Sequence, residues 1–168
     1  MEVLVVVDLQ NDFIDGALGN IGNEEIVNPI EDYIEKFDGE VIFTRDTHHG
    51  DYLETLEGKN LPITHCIKGT QGWEIRIDTK GYKIFDKESF GSYELAEYLK
   101  ELNDEEKVEK VNFVGICTDI CVISNAILVK SALVDTPIEV ISSMCKGTNE
   151  SNHKIALNAM KSMQINVI

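Results

Sequence analysis

Short apolar, β-branched runs alternate along this chain with longer segments whose apolar residues recur at helical spacing. Strands are predicted at Val3 to Val7, Val41 to Thr44, Lys83 to Phe85, Val111 to Val114, Ile138 to Ile141 and Ile165 to Ile168. Helices are predicted over Glu24 to Phe37, where Ile26, Val27, Ile30, Tyr33, Ile34 and Phe37 share a face, and over Tyr93 to Leu102, Asp119 to Leu133 and Asn152 to Met163. The third of these is apolar on nearly all sides, the mark of a buried helix. Residues 45 to 80 read as irregular and hold most of the histidines. The order β-α-β-β-α-β-α-β-α-β implies an α/β fold: three α-β-α layers around a mainly parallel, six-stranded, Rossmann-like sheet covered on both faces. No repeat, low-complexity tract or linker interrupts the pattern, so residues 1–168 read as a single domain.

In such sheets the ligand crevice lies beyond the carboxyl ends of the strands. That rule gathers scattered polar residues. Asp8 ends the first predicted strand, Asp46 follows the second, Lys87 the third and Cys121 the fourth. Cys121 stands in VNFVGICTDICV, which reads as strand, tight turn and helix, with the thiol in the helix's first turn. Backbone N–H groups and the positive end of the helix dipole favour a thiolate there. Taken singly, each residue has an ordinary explanation: a small buried hydrophobe for the cysteine, a turn-forming carboxylate for Asp8, a surface lysine for Lys87. Together, a thiol, a carboxylate able to take its proton and a lysine that stabilises anions make a nucleophilic site.

Asp46, His48 and His65 form a second constellation. Asp-x-His at a strand end, joined by a distant histidine, can present two imidazoles and a carboxylate with positions left open. His49 competes with His48, but the spacing to Asp46 favours His48. Phe13 either lines a pocket or packs in the core. Trp73 reads as packing, His153 as a structural histidine, and Cys66 and Cys145 as inert.

Composition narrows the classes of partner. The chain has 168 residues, 43% hydrophobic and 27% charged, in the range of an ordinary globular domain. Its net charge of −15 repels phosphate backbones and anionic bilayers, so neither nucleic acid nor membrane is expected as a partner. No apolar run approaches the roughly 20 residues that span a bilayer. The opening MEVLVVVDLQ lacks a basic region and a cleavage site, so it is not expected to be a signal peptide. Four cysteines without a secretion signal fit free thiols in a reducing, cytoplasmic compartment. Cys117 and Cys121 lie four apart with no second such pair, which argues against structural zinc. GxGxxG does not follow the first strand and GxxxxGK[ST] is absent, so neither phosphate loop supports a nucleotide function.

Five segments, taken in order, resemble the isochorismatase-like cysteine hydrolases, and within them the nicotinamidase/pyrazinamidase branch. They are VVVDLQNDF at 5–13, FTRDTH at 43–48, HCIKGTQGWE at 65–74, DKESFGSYEL at 86–95 and VGICTDICV at 114–122. The resemblance covers essentially the whole chain and implies the isochorismatase-like hydrolase fold. It implies a triad in which Asp8 accepts the thiol proton, Lys87 holds the ion pair and Cys121 attacks an amide carbonyl, giving a thioester that water then hydrolyses. It implies a cis peptide before Cys117, with the N–H groups of Cys117 and Cys121 aimed at the developing oxyanion, and a substrate held against Phe13 and Cys117. A divalent ion is implied at Asp46, His48 and His65, with Glu57 as a further ligand and Glu54 as its competitor; zinc comes first, with manganese and iron as alternatives. The implied reaction is nicotinamide plus water to nicotinate plus ammonia, a step of pyridine nucleotide salvage, by a homo-oligomer acting on a small-molecule amide.

Lys80 and Lys83 are nearby candidates for the lysine, and Lys87 is preferred because it precedes Ser89-Phe90 as the motif does. Leu61-Pro62-Ile63-Thr64 lacks the aromatic residue common before the second metal histidine, and Glu88-Ser89-Phe90-Gly91-Ser92 departs from Tyr-Ser-x-Phe. These departures keep two alternatives open: an amidohydrolase of another small amide, such as a carbamoyl or ureido compound, and a non-catalytic binding protein on the same fold. Isochorismatase activity ranks lower because it does not need the cysteine. Thiol redox chemistry at Cys117 and Cys121 ranks last because their spacing differs from C-x-x-C.

Overall fold

Val3 to Val7 presents five consecutive apolar side chains, and all five are fully buried. A strand can bury both faces only at the centre of a covered sheet. That is where β1 (Glu2–Val7) lies in the computed structural model, which describes residues 1–168. It pairs in parallel with β2 (Gly39–Asp46) on one side and β4 (Lys110–Ile116) on the other. With β3 (Lys83–Lys87), β5 (Ile138–Lys146) and β6 (Asn166–Val167), the sheet is all-parallel in the order β3-β2-β1-β4-β5-β6. Strand order reverses between β1 and β4, which is where a doubly wound sheet opens its crevice.

Two apolar layers cover the sheet. On one face, Val3, Val5 and Val7 pack with residues of α4 (Tyr93–Glu105), α5 (Ile123–Ala132) and α6 (Glu150–Ser162). On the other, Leu4 and Val6 pack with Phe13 and Ile14 of α1 (Asn11–Ile14), with α2 (Val27–Lys36), and with Trp73 and Ile77. The three α-β-α layers expected from the alternation of patterns are therefore present. Side-chain caps start the helices where hydrophilic residues precede the apolar periods: Ser92 accepts from the Leu95 N–H and Asn149 from the Asn152 N–H. No helix is long and apolar enough to cross a membrane.

The boundaries differ from the hydropathy reading where backbone pairing outlasts the apolar run. β2 continues to Asp46 and β3 to Lys87, in register opposite one another. β5 runs on through polar residues to Lys146, whereas β6 shrinks to two residues. The stretch from 45 to 80 is less irregular than its composition implies, holding a 3-10 turn at Tyr52–Glu54 and α3 (Leu56–Asn60). The helix expected from Asp119 begins instead as a π-helical turn, Thr118–Val122, before α5.

Gly115 is a required glycine. Its φ is 119°, and a Cβ there would lie 2.1 Å from the Val7 carbonyl oxygen. Gly115→Ala combines backbone strain with a clash at the centre of the sheet, and is expected to destabilise the protein by about 2–4 kcal/mol. Urea unfolding reads this directly, and a loss below about 0.5 kcal/mol contradicts the assignment.

Candidate active site

The register of β2 against β3 sets Asp46 beside Lys87, and Asp8 follows the last residue of β1. Asp8 has φ 46°, a left-handed turn that ends the strand at once. Its Oδ1 accepts from the Thr44 hydroxyl at 2.6 Å. Lys87 Nζ lies 2.6 Å from Asp8 Oδ2, 3.3 Å from Asp46 Oδ1 and 3.6 Å from Cys121 Sγ. All four residues are buried. The structure thus brings together the residues that the strand-end rule gathered.

Burial governs the protonation of this group, since it disfavours whichever form is charged. It pushes the Asp8 carboxyl up; Lys87 pulls it down and Asp46 pushes it up again. The Asp46 carboxyl resists its own burial because Lys87 and two imidazoles hold it well below the usual carboxylate range. Lys87, also opposed by burial, is held well above the ordinary lysine value by Asp8, Cys121 and Asp46. The Cys121 thiol is pushed well above its ordinary value by burial, with Lys87 lowering it and the two aspartates raising it. Burial of the thiol therefore opposes the pull toward a thiolate expected from the helix dipole. The turn that carries it is π-helical rather than the first turn of an α-helix.

The second constellation adjoins the first through Asp46. One donor atom from each of Asp46, His48 and His65 lies within 4.8 Å of the other two. Asp46 Oδ2 is 3.0 Å from His48 Nε2 and 3.6 Å from His65 Nε2. Ligands on tetrahedral bonds of about 2.0–2.1 Å stand roughly 3.4 Å apart, so these separations suit a bound zinc-sized ion. His48 Nε2 is buried without a hydrogen-bond partner, despite its closeness to the carboxylate. His65 Nδ1–H donates to the Ile63 carbonyl at 2.8 Å, which leaves the Nε2 lone pair facing the cluster. An orphaned imidazole nitrogen beside a carboxylate and a second oriented imidazole is a donor set that fits a divalent cation. Glu57 Oε1 stands at its edge, 3.7 Å from His48 Nε2 and 3.8 Å from His65 Nε2.

Long-range bonds bring His65 to His48. His48 N–H donates to the Cys66 carbonyl and Lys68 N–H to the His48 carbonyl, both at 2.9 Å. Asp12 Oδ2 accepts from the Cys66 N–H at 2.7 Å. Gln10 clamps the strand end: its Nε2 donates to the carbonyls of Asp46 and Trp73, and its Oε1 accepts from the Asp46 N–H. Tyr52 packs its ring 4.7 Å from His48 and 5.0 Å from His65. Asn125 Nδ2 donates to the Cys121 carbonyl at 2.8 Å. The sequence reading missed Gln10, Asp12, Tyr52 and Asn125. Gln10 and Asp12 fall in the VVVDLQNDF segment and were legible as part of that motif; Tyr52 and Asn125 carry no signal beyond residue type.

A cavity of about 650 Å³ opens over both groups, lined among others by Phe13, Tyr52, Leu56, Phe90, Cys117 and Cys121. Phe13 does both things weighed for it: it is buried in the core layer and lines the cavity, 5.7 Å from the His65 ring. The Ile116–Cys117 peptide is cis. Of the competing residues, His49 pairs with Glu88 at 2.8 Å, Lys80 with Glu35 at 3.4 Å, and Lys83 lies over Tyr98. Trp73 packs under Arg45 and donates from Nε1 to Thr47. Cys66 and Cys145 are buried free thiols held above their ordinary range by burial, Cys145 at about 12. His153 Nδ1 is 2.8 Å from the Thr118 hydroxyl, away from the cation site.

Removing the ammonium exposes the dependence of this group on charge. Lys87→Met leaves Asp8 and Asp46 buried together, and is expected to cost about 3–5 kcal/mol at pH 7 by urea unfolding. The Asp8 carboxyl, already raised by burial, rises further without Lys87. The folded variant then binds a proton that the unfolded chain releases, so its deficit shrinks as pH falls from 7 to 5. An unchanged deficit over that range contradicts the assignment.

Known proteins resemble this chain in sequence and fold. The chain is 28% identical over 186 residues to the nicotinamidase/pyrazinamidase of Mycobacterium tuberculosis, covering 100% of this chain and 98% of that protein. It is 28% identical over 178 residues to the nicotinamidase of Saccharomyces cerevisiae, covering 76% of this chain and 80% of that one. The crystal structure of the pyrazinamidase of Pyrococcus horikoshii in complex with zinc superposes with a TM-score of 0.85 at 27% identity, over 99% of this chain and 98% of that one. The isochorismatase domain matches residues 2–168, and the chain belongs to that family.

Proposed function

We propose that this protein is a nicotinamidase-type amidohydrolase, with Cys121 as nucleophile, Asp8 as general base and Lys87 as the cation that holds both in place. The observation that carries the reading is the Lys87 ammonium within 2.6 Å of Asp8 and 3.6 Å of Cys121, beside the Asp46–His48–His65 group. Its relatives named above are nicotinamidases and pyrazinamidases, so an aromatic ring carboxamide is the proposed substrate.

Asp46, His48 and His65 would hold the divalent ion, with zinc the first choice and Glu57 at the rim as a further ligand. When bound, such an ion supplies an electrophilic centre able to hold a ring nitrogen. The rest belongs to the protein. Phe13 offers an aromatic wall to the ring. Asp8, its carboxyl raised by burial, is a stronger base than a solvated aspartate and can take the thiol proton as Sγ bonds to the amide carbon. Lys87 stays protonated throughout and compensates the charge that passes from carboxylate to sulfur. The N–H groups of Cys117 and Cys121 are the proposed oxyanion donors. Collapse of the tetrahedral intermediate breaks the C–N bond; the Asp8 proton leaves with nitrogen as ammonia, and a thioester remains. Asp8, again a carboxylate, then takes a proton from water as its oxygen attacks the thioester, releasing the acid and the thiol.

Ammonia release from nicotinamide by the zinc-loaded protein tests the reading. Release is expected from wild type and a drop of at least about 10³-fold in Cys121→Ala, with the fold unchanged by circular dichroism. Full activity in Cys121→Ala contradicts the nucleophile, and no release from wild type contradicts the substrate. His48→Ala and His65→Ala are expected to lose most bound zinc on dialysis, by elemental analysis, and unchanged zinc content removes those residues from the site.

A further inference from the structure

The turn that carries Cys121 is held from outside the catalytic cavity by residues that touch no part of it. Thr118 and Asp119 open this turn. Asp119 Oδ1 accepts from the Thr148 N–H at 2.8 Å, and its Oδ2 from the Thr148 hydroxyl at 2.5 Å. The same hydroxyl accepts from Asn152 Nδ2 at 3.0 Å. One residue earlier, the Thr118 hydroxyl is 2.8 Å from His153 Nδ1. Gly147 fits between the two contacts. A Cβ there would lie 2.8 Å from His153 Cβ and 2.9 Å from Asp119 Oδ1, so any larger residue would separate α6 from the turn. Asn149 caps α6 by accepting from the Asn152 N–H, which fixes Thr148, Asn152 and His153 relative to one another.

A π-helical turn is an unusual conformation that needs support, and such turns concentrate at functional sites. From the inside, Asn125 holds the Cys121 carbonyl. From the outside, the two adjacent side chains of Thr118 and Asp119 are fastened to the end of β5 and the start of α6. We propose that Asp119, Thr148 and His153 are positioning residues that fix Cys121 Sγ beside Lys87. They act through the backbone of residues 118–121 and bind neither substrate nor metal. The inference rests on the nucleophilic role proposed for Cys121.

Such a role separates turnover from binding. Displacing a reacting atom by an ångström or so can cost about 10²-fold in rate, whereas Phe13 and the residues of the cation site lie on other elements of the fold. In the zinc-loaded protein, Asp119→Ala is expected to lower kcat for nicotinamide about 10- to 100-fold with KM within about twofold. Asp119→Asn, which keeps an acceptor for the Thr148 N–H and a partner for its hydroxyl, is expected to recover most of that loss. Thr148→Val, nearly isosteric, removes the hydroxyl's bonds to Asp119 and Asn152 but keeps the backbone N–H bond to Asp119 Oδ1, and gives a smaller drop with the same split; it serves as the test if Asp119→Ala fails to fold. A second readout is independent of turnover: alkylation of Cys121 by iodoacetamide, followed by mass spectrometry, is expected to slow at least about threefold in Asp119→Ala and Thr148→Val as the thiol leaves its place beside Lys87. Unchanged kcat, or a loss of kcat matched by a rise in KM, overturns the proposal, as does an unchanged or faster alkylation rate. If wild type itself does not release ammonia, the functional reading fails and the alkylation rates alone decide whether these residues position the thiol.

Discussion

One buried ammonium organises this molecule. Lys87 contacts Asp8, Asp46 and Cys121, each buried and each on or after a different strand. Two buried carboxylates would repel each other and one would take up a proton; the cation between them makes the arrangement tolerable. Asp46 then serves two groups at once, with Oδ1 toward the ammonium and Oδ2 toward the imidazoles of His48 and His65. Electrostatic coupling between the proposed nucleophilic group and the proposed cation site is thus built into a single side chain.

The sheet supplies the precision. Parallel strands in register deliver Asp8, Asp46 and Lys87 to one edge without the freedom of a loop, and Gly115 lets β4 approach β1 closely. What the sheet does not supply, buried polar contacts do. Gln10 and Asp12 fasten the long connection between β2 and β3, so that His65 returns to face His48. Gly72 makes that fastening possible, since a Cβ there would lie 2.2 Å from the Asp12 carboxylate. Each of these polar side chains satisfies backbone groups that would otherwise be buried unpaired, which ties local order to the site rather than to the core alone.

Much of this was legible in the sequence, for physical reasons that also mark where reading stops. A short run of apolar, β-branched residues such as Val3 to Val7 reads as a strand, and a period-3.6 pattern such as Glu24 to Phe37 buries one helical face, so layers and sheet followed, although residues 23–26 form a 3-10 turn ahead of α2. Strand ends did not: backbone pairing at Arg45–Asp46 and Asp86–Lys87 is invisible to hydropathy. The π-helical turn at Cys121 was also hidden, because i to i+5 bonding leaves no compositional trace. Among site residues, Lys87 was preferred over Lys80 and Lys83 because it precedes Ser89-Phe90 as the resembled motif does, and His48 over His49 for its spacing to Asp46; the structure places Lys87 and His48 in the buried cluster and the three competitors outside it. The upward push of burial on the Cys121 thiol did not follow, because it depends on the depth of burial, which only the folded chain reveals. Tyr52 and Asn125 were missed because neither residue type nor spacing marks them; each acts on a residue four positions away, His48 and Cys121, only once the intervening turn has formed.

The most direct test of the account is capture of the thioester. Zinc-loaded protein is mixed with nicotinamide, quenched in acid within the first turnover, digested and examined by mass spectrometry. The account predicts one nicotinoyl group on the peptide containing Cys121, removed by neutral hydroxylamine and absent from Cys121→Ala. Active protein that shows no acyl group on Cys121 at any quench time, with turnover persisting in Cys121→Ala, would contradict it.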